Sequence, residues 1–418
     1  MEKHPLFNLL KNKALFDALA SQFGTPLYIY SKERLIHNIE KLNHALKNNF
    51  SSYHICYTIK ANNNPHLIKE LKTAVPSIGG DCASPGEIYI AEKSGILGNE
   101  CIYTGNYESP EDLKYAYDHG AHINLDDITS FDRLNKIGLP EDISFRLNPG
   151  FGKGAFSQIV TGGENSKFGV PHYDIVSAYS LAKEAGIKKF GIQCMTGSGV
   201  LDPDYYPELI KSILGTVEQL KDELNIHMEY VSLGGGYGIP YTDEDSTLDF
   251  DAVFSQVGKN FNSYFEQQNE SKPSLWIEPG KSVVGDTGIL LTRVTGIKDS
   301  YRKYIGVDAG METLMRPALY GAHHRMYKVG EPDAPIDQTV DITGRICENT
   351  DRIAVDREFP YVEEGDLIAV MDAGAYCYTM SHQFCTRPKP AEVLLDGENP
   401  TLIRRRESIE DIFSGCEV

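Results

Sequence analysis

Lys60, a glycine run at 234–236 and Glu278 each follow a short apolar segment of this sequence. A lysine can form a Schiff base with an aldehyde, and glycine amides can surround a phosphate. A carboxylate can pair with a protonated pyridine nitrogen. These are the groups that a pyridoxal phosphate site needs, if the fold brings them together.

Each of these groups also has a structural interpretation. Lys60 could be exposed on a loop, the glycines could form a tight strand-to-helix turn, and Glu278 could make a salt bridge at a strand end. Taken alone, the three glycines favour the turn. Their position beside Lys60 on one barrel face, with the Ser198 hydroxyl nearby, favours phosphate binding.

A second set of candidates lies nearer the carboxyl terminus. Cys347, next to Glu348, could donate a proton to a carbanion, although a single cysteine is more often a buried apolar residue. Arg316 and Tyr320 are one helical turn apart and could bind a substrate carboxylate. Alternatively, they lie on a surface helix where the arginine makes a structural ion pair.

From about residue 31 to 285, short β-branched segments alternate with longer segments of helical period, as in repeated βα units. Ser84 and Ser109 begin helices as capping residues, and Gly95, Gly120 and Gly186 end them. Eight strands, each followed by helical sequence, favour a parallel (β/α)8 barrel of the TIM type. The predicted strands are residues 55–59, 78–82, 101–104, 122–125, 143–147, 190–194, 229–233 and 275–277.

The sequence after residue 285 has strand-like segments without long helices between them, at residues 289–294, 303–307, 339–345, 367–371 and 391–395. This pattern predicts an antiparallel β-barrel or sandwich, which a short strand at residues 26–30 could join. We therefore predict a barrel domain of residues 31–285 and a β domain of residues 1–30 and 286–418.

Composition argues against several functions. The chain has 59 acidic and 40 basic residues and a net charge of −19, so nucleic acid and membrane partners are not expected. No segment resembles a signal peptide or a membrane span, which predicts a cytoplasmic protein. Eight cysteines without a C-x-x-C pair, and histidines without ligand spacing, predict no metal site.

A series of motifs extends over nearly the whole chain. It comprises SKFG at 166–169, GGGYGI at 234–239, EPGKSVVGDTG at 278–288, DAGM at 308–311, RPALY at 316–320, ICENTD at 346–351, GAY at 374–376 and RPKPAEV at 387–393. In order and approximate spacing, the series resembles the fold-type III pyridoxal-phosphate decarboxylases. It is more similar to the diaminopimelate decarboxylases than to the ornithine decarboxylases.

The resemblance implies decarboxylation of meso-2,6-diaminopimelate to L-lysine and CO2 with pyridoxal 5'-phosphate as cofactor, in lysine biosynthesis. It implies that Lys60 anchors the cofactor, Glu278 pairs with the pyridine nitrogen and Cys347 is the general acid. Other implied cofactor contacts are Asp81, Arg146, Met195, Ser198, Gly235, Gly236, Gly280, Lys281 and Tyr376. Implied substrate contacts are Lys281, Arg316, Tyr320, Glu348 and Tyr376.

The resemblance also implies a homodimer with shared active sites, in which Cys347, Glu348 and Tyr376 reach the partner's Lys60 site. Two residues depart from the family pattern: Met195 replaces a histidine that stacks on the cofactor, and Lys281 replaces an arginine. A decarboxylase acting on another diamino acid or biosynthetic intermediate, an alanine-racemase-like enzyme and a catalytically silent regulatory relative are the alternatives.

Overall fold

The computed structural model describes residues 3–417, which form two compact units. The first consists of His37–Ile239 and Thr247–Ser282. The second contains the described residues up to Ile36, the segment Pro240–Ser246 and the residues from Val283 onward. The functional domain boundaries at residues 30 and 285 stay a prediction.

The described residues form twelve α-helices and eighteen strands, which loops and short 3-10 turns connect. The helices are α1 (Lys13–Phe23), α2 (Lys32–Asn49), α3 (Pro65–Ala74), α4 (Pro85–Lys93), α5 (Pro110–Asp118), α6 (Thr129–Ile137), α7 (Ile175–Glu184), α8 (Tyr205–Leu224), α9 (Phe250–Gln268), α10 (Lys281–Val284), α11 (Arg316–Tyr320) and α12 (Ile409–Ile412). The strands are β1 (Leu27–Ser31), β2 (Tyr53–Thr58), β3 (Gly79–Cys82), β4 (Cys101–Tyr103), β5 (His122–Leu125), β6 (Asp142–Asn148), β7 (Val170–Pro171), β8 (Lys189–Gln193), β9 (Met228–Ser232), β10 (Ser274–Ile277), β11 (Gly288–Asp299), β12 (Lys303–Val307), β13 (Met326–Lys328), β14 (Gln338–Thr343), β15 (Arg352–Phe359), β16 (Leu367–Val370), β17 (Ala391–Asp396) and β18 (Asn399–Arg404).

The first unit is a closed parallel barrel. Its eight strands are neighbours in the order β5-β4-β3-β2-β10-β9-β8-β6, and pairing of β5 with β6 closes the ring. Helices lie between successive strands, so the predicted (β/α)8 barrel is confirmed. The eight predicted strands all occur, with ends shifted by at most two residues.

Helix starts in the barrel follow the predicted capping chemistry. The Ser84 hydroxyl accepts a hydrogen bond from the Glu87 amide at 3.4 Å, and the Ser109 hydroxyl accepts one from the Asp112 amide at 3.1 Å. Each bond satisfies an amide that has no partner within its helix. Proline follows both serines, where its missing N–H costs no hydrogen bond.

Large side chains fill the barrel interior. Cys56, Ile102, Tyr230 and Trp276 come from four different strands and form one buried cluster. The Tyr230 and Trp276 rings are stacked with centroids 4.1 Å apart. Burial of each large apolar side chain stabilises the fold by about 1.5–3 kcal/mol, and a filled interior leaves the strand ends as the place for chemistry.

The second unit is built on a mixed sheet with a main path of β15-β14-β12-β11-β1-β17-β18. The predicted participation of the amino-terminal strand is confirmed, because β1 pairs with both β11 and β17. Most strand pairs of this sheet are antiparallel, as predicted, and the sheet is mixed because β1 runs parallel to β17 and β12 runs parallel to β14. Insertion of β1 from the other end of the chain creates the first of these parallel pairs.

The core of this unit is formed by apolar side chains that occupy every second position of neighbouring strands. Leu27 and Ile29 of β1 lie on the same face as Ile289 and Leu291 of β11, and all four are buried. Side chains two residues apart share one face of a strand, so this register brings the apolar sets together. Within residues 3–417, no helix combines the length and apolarity needed to cross a membrane.

Candidate active site

Lys60 lies in a short turn, Ile59–Ala61, directly after β2. Its Nζ donates a hydrogen bond to Oδ2 of Asp81 at 2.7 Å, and Asp81 belongs to the neighbouring strand β3. The Lys60 side chain is 44% exposed, whereas that of Asp81 is 6% exposed. Lys60 is therefore accessible, as in the loop interpretation, and the Asp81 carboxylate holds its ammonium group at the barrel end.

Glu278 is another buried carboxylate at this barrel end. Its Oε1 accepts a hydrogen bond from the Ser232 hydroxyl at 2.6 Å, and its Oε2 accepts one from Nε2 of Gln193 at 2.8 Å. Burial, together with the charge of Asp81, raises the pKa of Glu278 to about 7, although the two hydrogen bonds act in the opposite direction. A cationic group placed against Glu278 would therefore stabilise its charged form.

The glycine run forms the tight turn after β9. Gly234 and Gly236 have φ values of +61° and +94°, which favour glycine. A Cβ at Gly235 would lie 2.1 Å from the Glu278 carbonyl oxygen, so the two chain segments approach closely only because residue 235 has no side chain. The turn interpretation thus accounts for all three glycines, and phosphate binding at Gly235 and Gly236 stays a prediction.

Met195 and Arg146 connect the strand ends near this turn. The Met195 sulfur accepts a hydrogen bond from the Gly235 amide at 3.3 Å, and its carbonyl oxygen accepts one from Nη2 of Arg146 at 2.8 Å. Arg146 is buried, with Nη1 3.5 Å from Oδ1 of Asp126 and its guanidinium 4.5 Å from the Phe168 ring centroid. Burial lowers the pKa of Arg146, and the charge of Asp126 opposes that shift.

A buried ammonium group lies beside the loop after β8. A Cβ at Gly199 would lie 3.1 Å from Nζ of Lys281, so this lysine points at the loop that also carries Ser198. Lys281 is 4% exposed, and it begins α10 directly after Gly280. The adjacent Ser282 hydroxyl is buried and has no hydrogen-bond partner among residues 3–417. A buried cation next to an unsatisfied hydroxyl fits an anionic ligand.

Arg316 is the most buried of the predicted substrate residues, at 3% exposed. Its Nη1 donates a hydrogen bond to Nε2 of His324 at 3.0 Å, and its guanidinium lies 4.8 Å from the Tyr241 ring centroid. Burial, together with the charge of Arg316, lowers the pKa of His324 to about 3, so the imidazole is neutral and accepts this bond. The surface-helix alternative is therefore wrong for Arg316, while Tyr320 is half-buried at the end of α11.

Cys347 and Glu348 are exposed on the loop between β14 and β15. The Cys347 sulfur lies 3.5 Å from the sulfur of Cys385, and this hydrogen bond raises the pKa of the Cys347 thiol. The interpretation of Cys347 as a buried apolar residue is wrong, and the thiol keeps its proton at neutral pH, as a general acid must. Tyr376 is half-buried with a φ of +57°.

Residues 36–285 match the family model described as pyridoxal-dependent decarboxylase, pyridoxal binding domain. The diaminopimelate decarboxylase of Methanothermobacter thermautotrophicus is 38% identical over 402 residues, which cover 96% of this chain and 93% of that protein. The chain belongs to the diaminopimelate decarboxylase family of pyridoxal-dependent decarboxylases. Its cofactor is pyridoxal phosphate, as the sequence predicted.

Two solved structures of this family match nearly the whole chain. The M. jannaschii diaminopimelate decarboxylase in complex with L-lysine is 30% identical, has a TM-score of 0.87 and covers 97% of this chain and 94% of its own. The Helicobacter pylori enzyme, also complexed with L-lysine, is 27% identical with a TM-score of 0.87, covering 96% and 98%. The fold of both units is thus the fold of the family.

The barrel end fits pyridoxal phosphate. Lys281 and the unsatisfied Ser282 hydroxyl match an anionic phosphate, Glu278 matches a ring nitrogen, and Lys60 is accessible to an aldehyde. Among residues 3–417, no group of three or more histidine, cysteine or acidic side chains could hold a metal ion.

The sequence did not reveal the residues that bind the predicted site residues through hydrogen bonds or ion pairs. Gln193 and Ser232, which bind Glu278, are the last residues of β8 and β9. A polar residue ending an apolar strand was the available signal for both. Asp126, beside Arg146, directly follows β5 and gave the same signal, whereas His324, beside Arg316, gave none, because it meets its arginine only through the tertiary fold.

Proposed function

We propose that this protein decarboxylates meso-2,6-diaminopimelate to L-lysine and CO2. Several relatives that match at 35–38% identity over nearly the whole chain are named diaminopimelate decarboxylase, and two solved relatives hold L-lysine. The observation that carries the proposal is the Lys60–Asp81 ion pair at the same barrel end as buried Glu278. This end offers a covalent anchor and a partner for a ring nitrogen.

We propose that Lys60 holds the cofactor covalently and that Glu278 keeps the pyridine nitrogen protonated. When bound, pyridoxal phosphate supplies the electron sink that stabilises negative charge at the substrate α-carbon. Asp81 orients the Lys60 ammonium group, and Ser232 and Gln193 orient the Glu278 carboxylate. Because Glu278 is buried, its charge interacts strongly with a neighbouring cation.

The phosphate of the cofactor is proposed to lie near Lys281. Its ammonium group is buried next to the loop that carries Ser198, and Ser282 supplies a free hydroxyl donor. Residues Gly235, Gly236, Gly280 and Tyr376 complete the proposed phosphate contacts. A lysine offers one charged point where an arginine offers two parallel donors, so Lys281 binds with less geometric restriction.

We propose that Arg316, Tyr320 and Glu348 bind the distal end of the substrate, and that Cys347 donates the proton that replaces CO2. The distal end of meso-2,6-diaminopimelate carries an ammonium and a carboxylate group, which match Glu348 and Arg316 in charge. His324 fixes the guanidinium orientation of Arg316 through the 3.0 Å hydrogen bond. Cys347 suits proton donation because it is exposed and its raised pKa keeps the thiol protonated.

The assembly and location are also proposals. We propose a cytoplasmic homodimer in which Cys347, Glu348 and Tyr376 of one subunit act at the Lys60 end of its partner. Exposure of Cys347 and Glu348 supports this arrangement, because both side chains are available to a second copy of the chain. Activity that depends on protein concentration in the range where the dimer dissociates tests it.

A decarboxylase for another diamino acid is the second candidate. It is favoured by Met195, whose sulfur replaces a titratable ring next to the Gly235 amide, and by Lys281. Purified protein supplied with pyridoxal phosphate is incubated with meso-2,6-diaminopimelate and, separately, with shorter diamino acids. Release of L-lysine and CO2 from the first substrate alone supports the main proposal, and faster CO2 release from another supports the second.

A further inference from the structure

Two exposed thiols approach each other in the second unit. The sulfurs of Cys347 and Cys385 are 3.5 Å apart, although 38 positions separate the residues in the chain. Three cysteines of the described residues are exposed, these two and Cys416, and the others are buried. A pair of solvent-accessible thiols at this distance is a candidate for oxidation chemistry.

Hydrogen bonds hold the two thiol-bearing segments in place. The Asp351 carboxylate accepts bonds from the Ile346 amide at 2.7 Å and the Met311 amide at 2.6 Å, which fixes the loop of Cys347. Nη2 of Arg387 donates to the Arg345 carbonyl oxygen at 3.4 Å and connects that loop to the segment of Cys385. Each thiol thus stays near the other without a large conformational search.

Backbone conformation gives an independent sign that the Cys385 segment is shaped for this contact. Cys385 and Thr386 are consecutive residues with φ values of +55° and +57°. Non-glycine residues adopt this region at a conformational cost, and a β-branched residue such as threonine does so rarely. Such strain persists where the surrounding structure enforces it, and it concentrates at functional sites.

We propose that Cys347 and Cys385 form a reversible disulfide that inactivates the enzyme under peroxide, with Cys385 as the resolving thiol. This inference rests on the proposed role of Cys347 as proton donor. The small thiolate fraction of Cys347 attacks hydrogen peroxide, which gives a sulfenic acid and hydroxide, and the hydroxide takes up the proton that the thiol released, as water. The Cys385 sulfur then displaces water from the sulfenic acid, so two thiols lose two electrons and peroxide becomes two waters.

The two sulfurs are already close to bonding distance. A disulfide requires a sulfur separation of about 2.05 Å, so the two atoms must approach by about 1.5 Å. Rotation of exposed side chains about χ1 moves a sulfur by more than this without moving the backbone. The disulfide removes the transferable proton from Cys347, and a dithiol such as dithiothreitol restores both thiols by exchange.

The test uses the holoenzyme and three proteins: wild type, Cys385→Ser and Cys416→Ser. Each is treated with hydrogen peroxide, quenched with catalase and assayed for L-lysine formation before and after dithiothreitol. Wild type and Cys416→Ser are expected to lose activity by a factor on the order of 10², the size of a lost general acid, and to recover it with dithiothreitol. Cys385→Ser has normal activity before treatment, but its oxidised Cys347 cannot be resolved, so prolonged peroxide causes a loss that dithiothreitol does not reverse.

Peptide mapping of the same samples under non-reducing conditions detects a cross-link between Cys347 and Cys385 independently of turnover. Its absence from inactivated wild type, or full dithiothreitol recovery of Cys385→Ser, would overturn the inference. A complete cross-link with unchanged turnover would overturn it too. Failure of the proposed function is recognised separately, as untreated holoenzyme that forms no L-lysine from meso-2,6-diaminopimelate.

Discussion

The hydrogen bond from Ser232 to Glu278 offers a sharp test of how the barrel controls its buried carboxylate. Ser232 is fully buried, and its hydroxyl donates to Oε1 of Glu278 at 2.6 Å. Ser232→Ala removes this donor and leaves a buried, charged oxygen with one fewer partner. The charged form of Glu278 then loses stabilisation, so the pKa of Glu278 rises above about 7.

The size of this shift follows from the energy of the lost bond. A hydrogen bond to a charged group contributes about 1.5–3 kcal/mol, and one pKa unit corresponds to about 1.4 kcal/mol. The pKa of Glu278 should therefore rise by about one to two units. Because only the anion can hold a proton on the pyridine nitrogen, the acidic limb of the kcat–pH profile should move to higher pH by the same amount.

The matched control is Ser144→Ala. Ser144 is a fully buried serine of the same barrel, but its hydroxyl donates to the neutral Asn124 side chain at 2.8 Å. Turnover is measured from about pH 6 to 9 for wild type and both variants, with urea unfolding to compare their stabilities. Both variants should lose stability, and Ser232→Ala alone should displace the acidic limb. An equal position of the acidic limb in the kcat–pH profiles of the two variants would refute the role assigned to Ser232.

Three further predictions concern Glu278, Lys60 and Cys347. Burial raises the pKa of Glu278 from 4.5 to about 7, so its contribution to apoprotein stability is lost as pH rises through that window. Glu278→Gln should therefore raise the free energy of unfolding of the apoprotein, measured with urea, more at about pH 8 than at about pH 4.5. Its turnover should fall. An equal change in the free energy of unfolding at both pH values would contradict this prediction. Lys60→Ala should lose the visible absorbance of bound cofactor, and full absorbance would remove Lys60 as anchor. Cys347→Ala should slow L-lysine formation on the order of 10²-fold, and unchanged turnover excludes it as proton donor.

Most of the barrel could be predicted from sequence because its signals are local. Ser84 and Ser109 begin helices through side chains that act within one turn, and the apolar strands lie between these helices. Strands β7, β13, β15 and β18 were missed. Strand β18 pairs with β17 but has only one buried residue, Ile403. Its sequence therefore lacks the alternation of apolar and polar residues that indicates a strand.

Predicting the site was limited by contacts between distant strand ends. The positions of Lys60 and Glu278 followed from the rule that barrel chemistry lies at carboxyl ends. Their partners depend on strand order: Asp81 meets Lys60 because β2 and β3 are neighbours, with Thr58 opposite Asp81 in register. Burial also depends on the fold, and Arg316 lies inside its unit because His324 and Tyr241 surround its guanidinium.

The most direct test of the whole account follows Lys60 and the reaction together. Purified protein is supplied with pyridoxal phosphate, its visible absorbance is recorded, and meso-2,6-diaminopimelate is added while L-lysine and CO2 are measured. Wild type should gain the absorbance and release equal amounts of both products, and Lys60→Ala should do neither. Wild-type protein that stays colourless with the cofactor and forms no L-lysine would contradict the assignment of this barrel end.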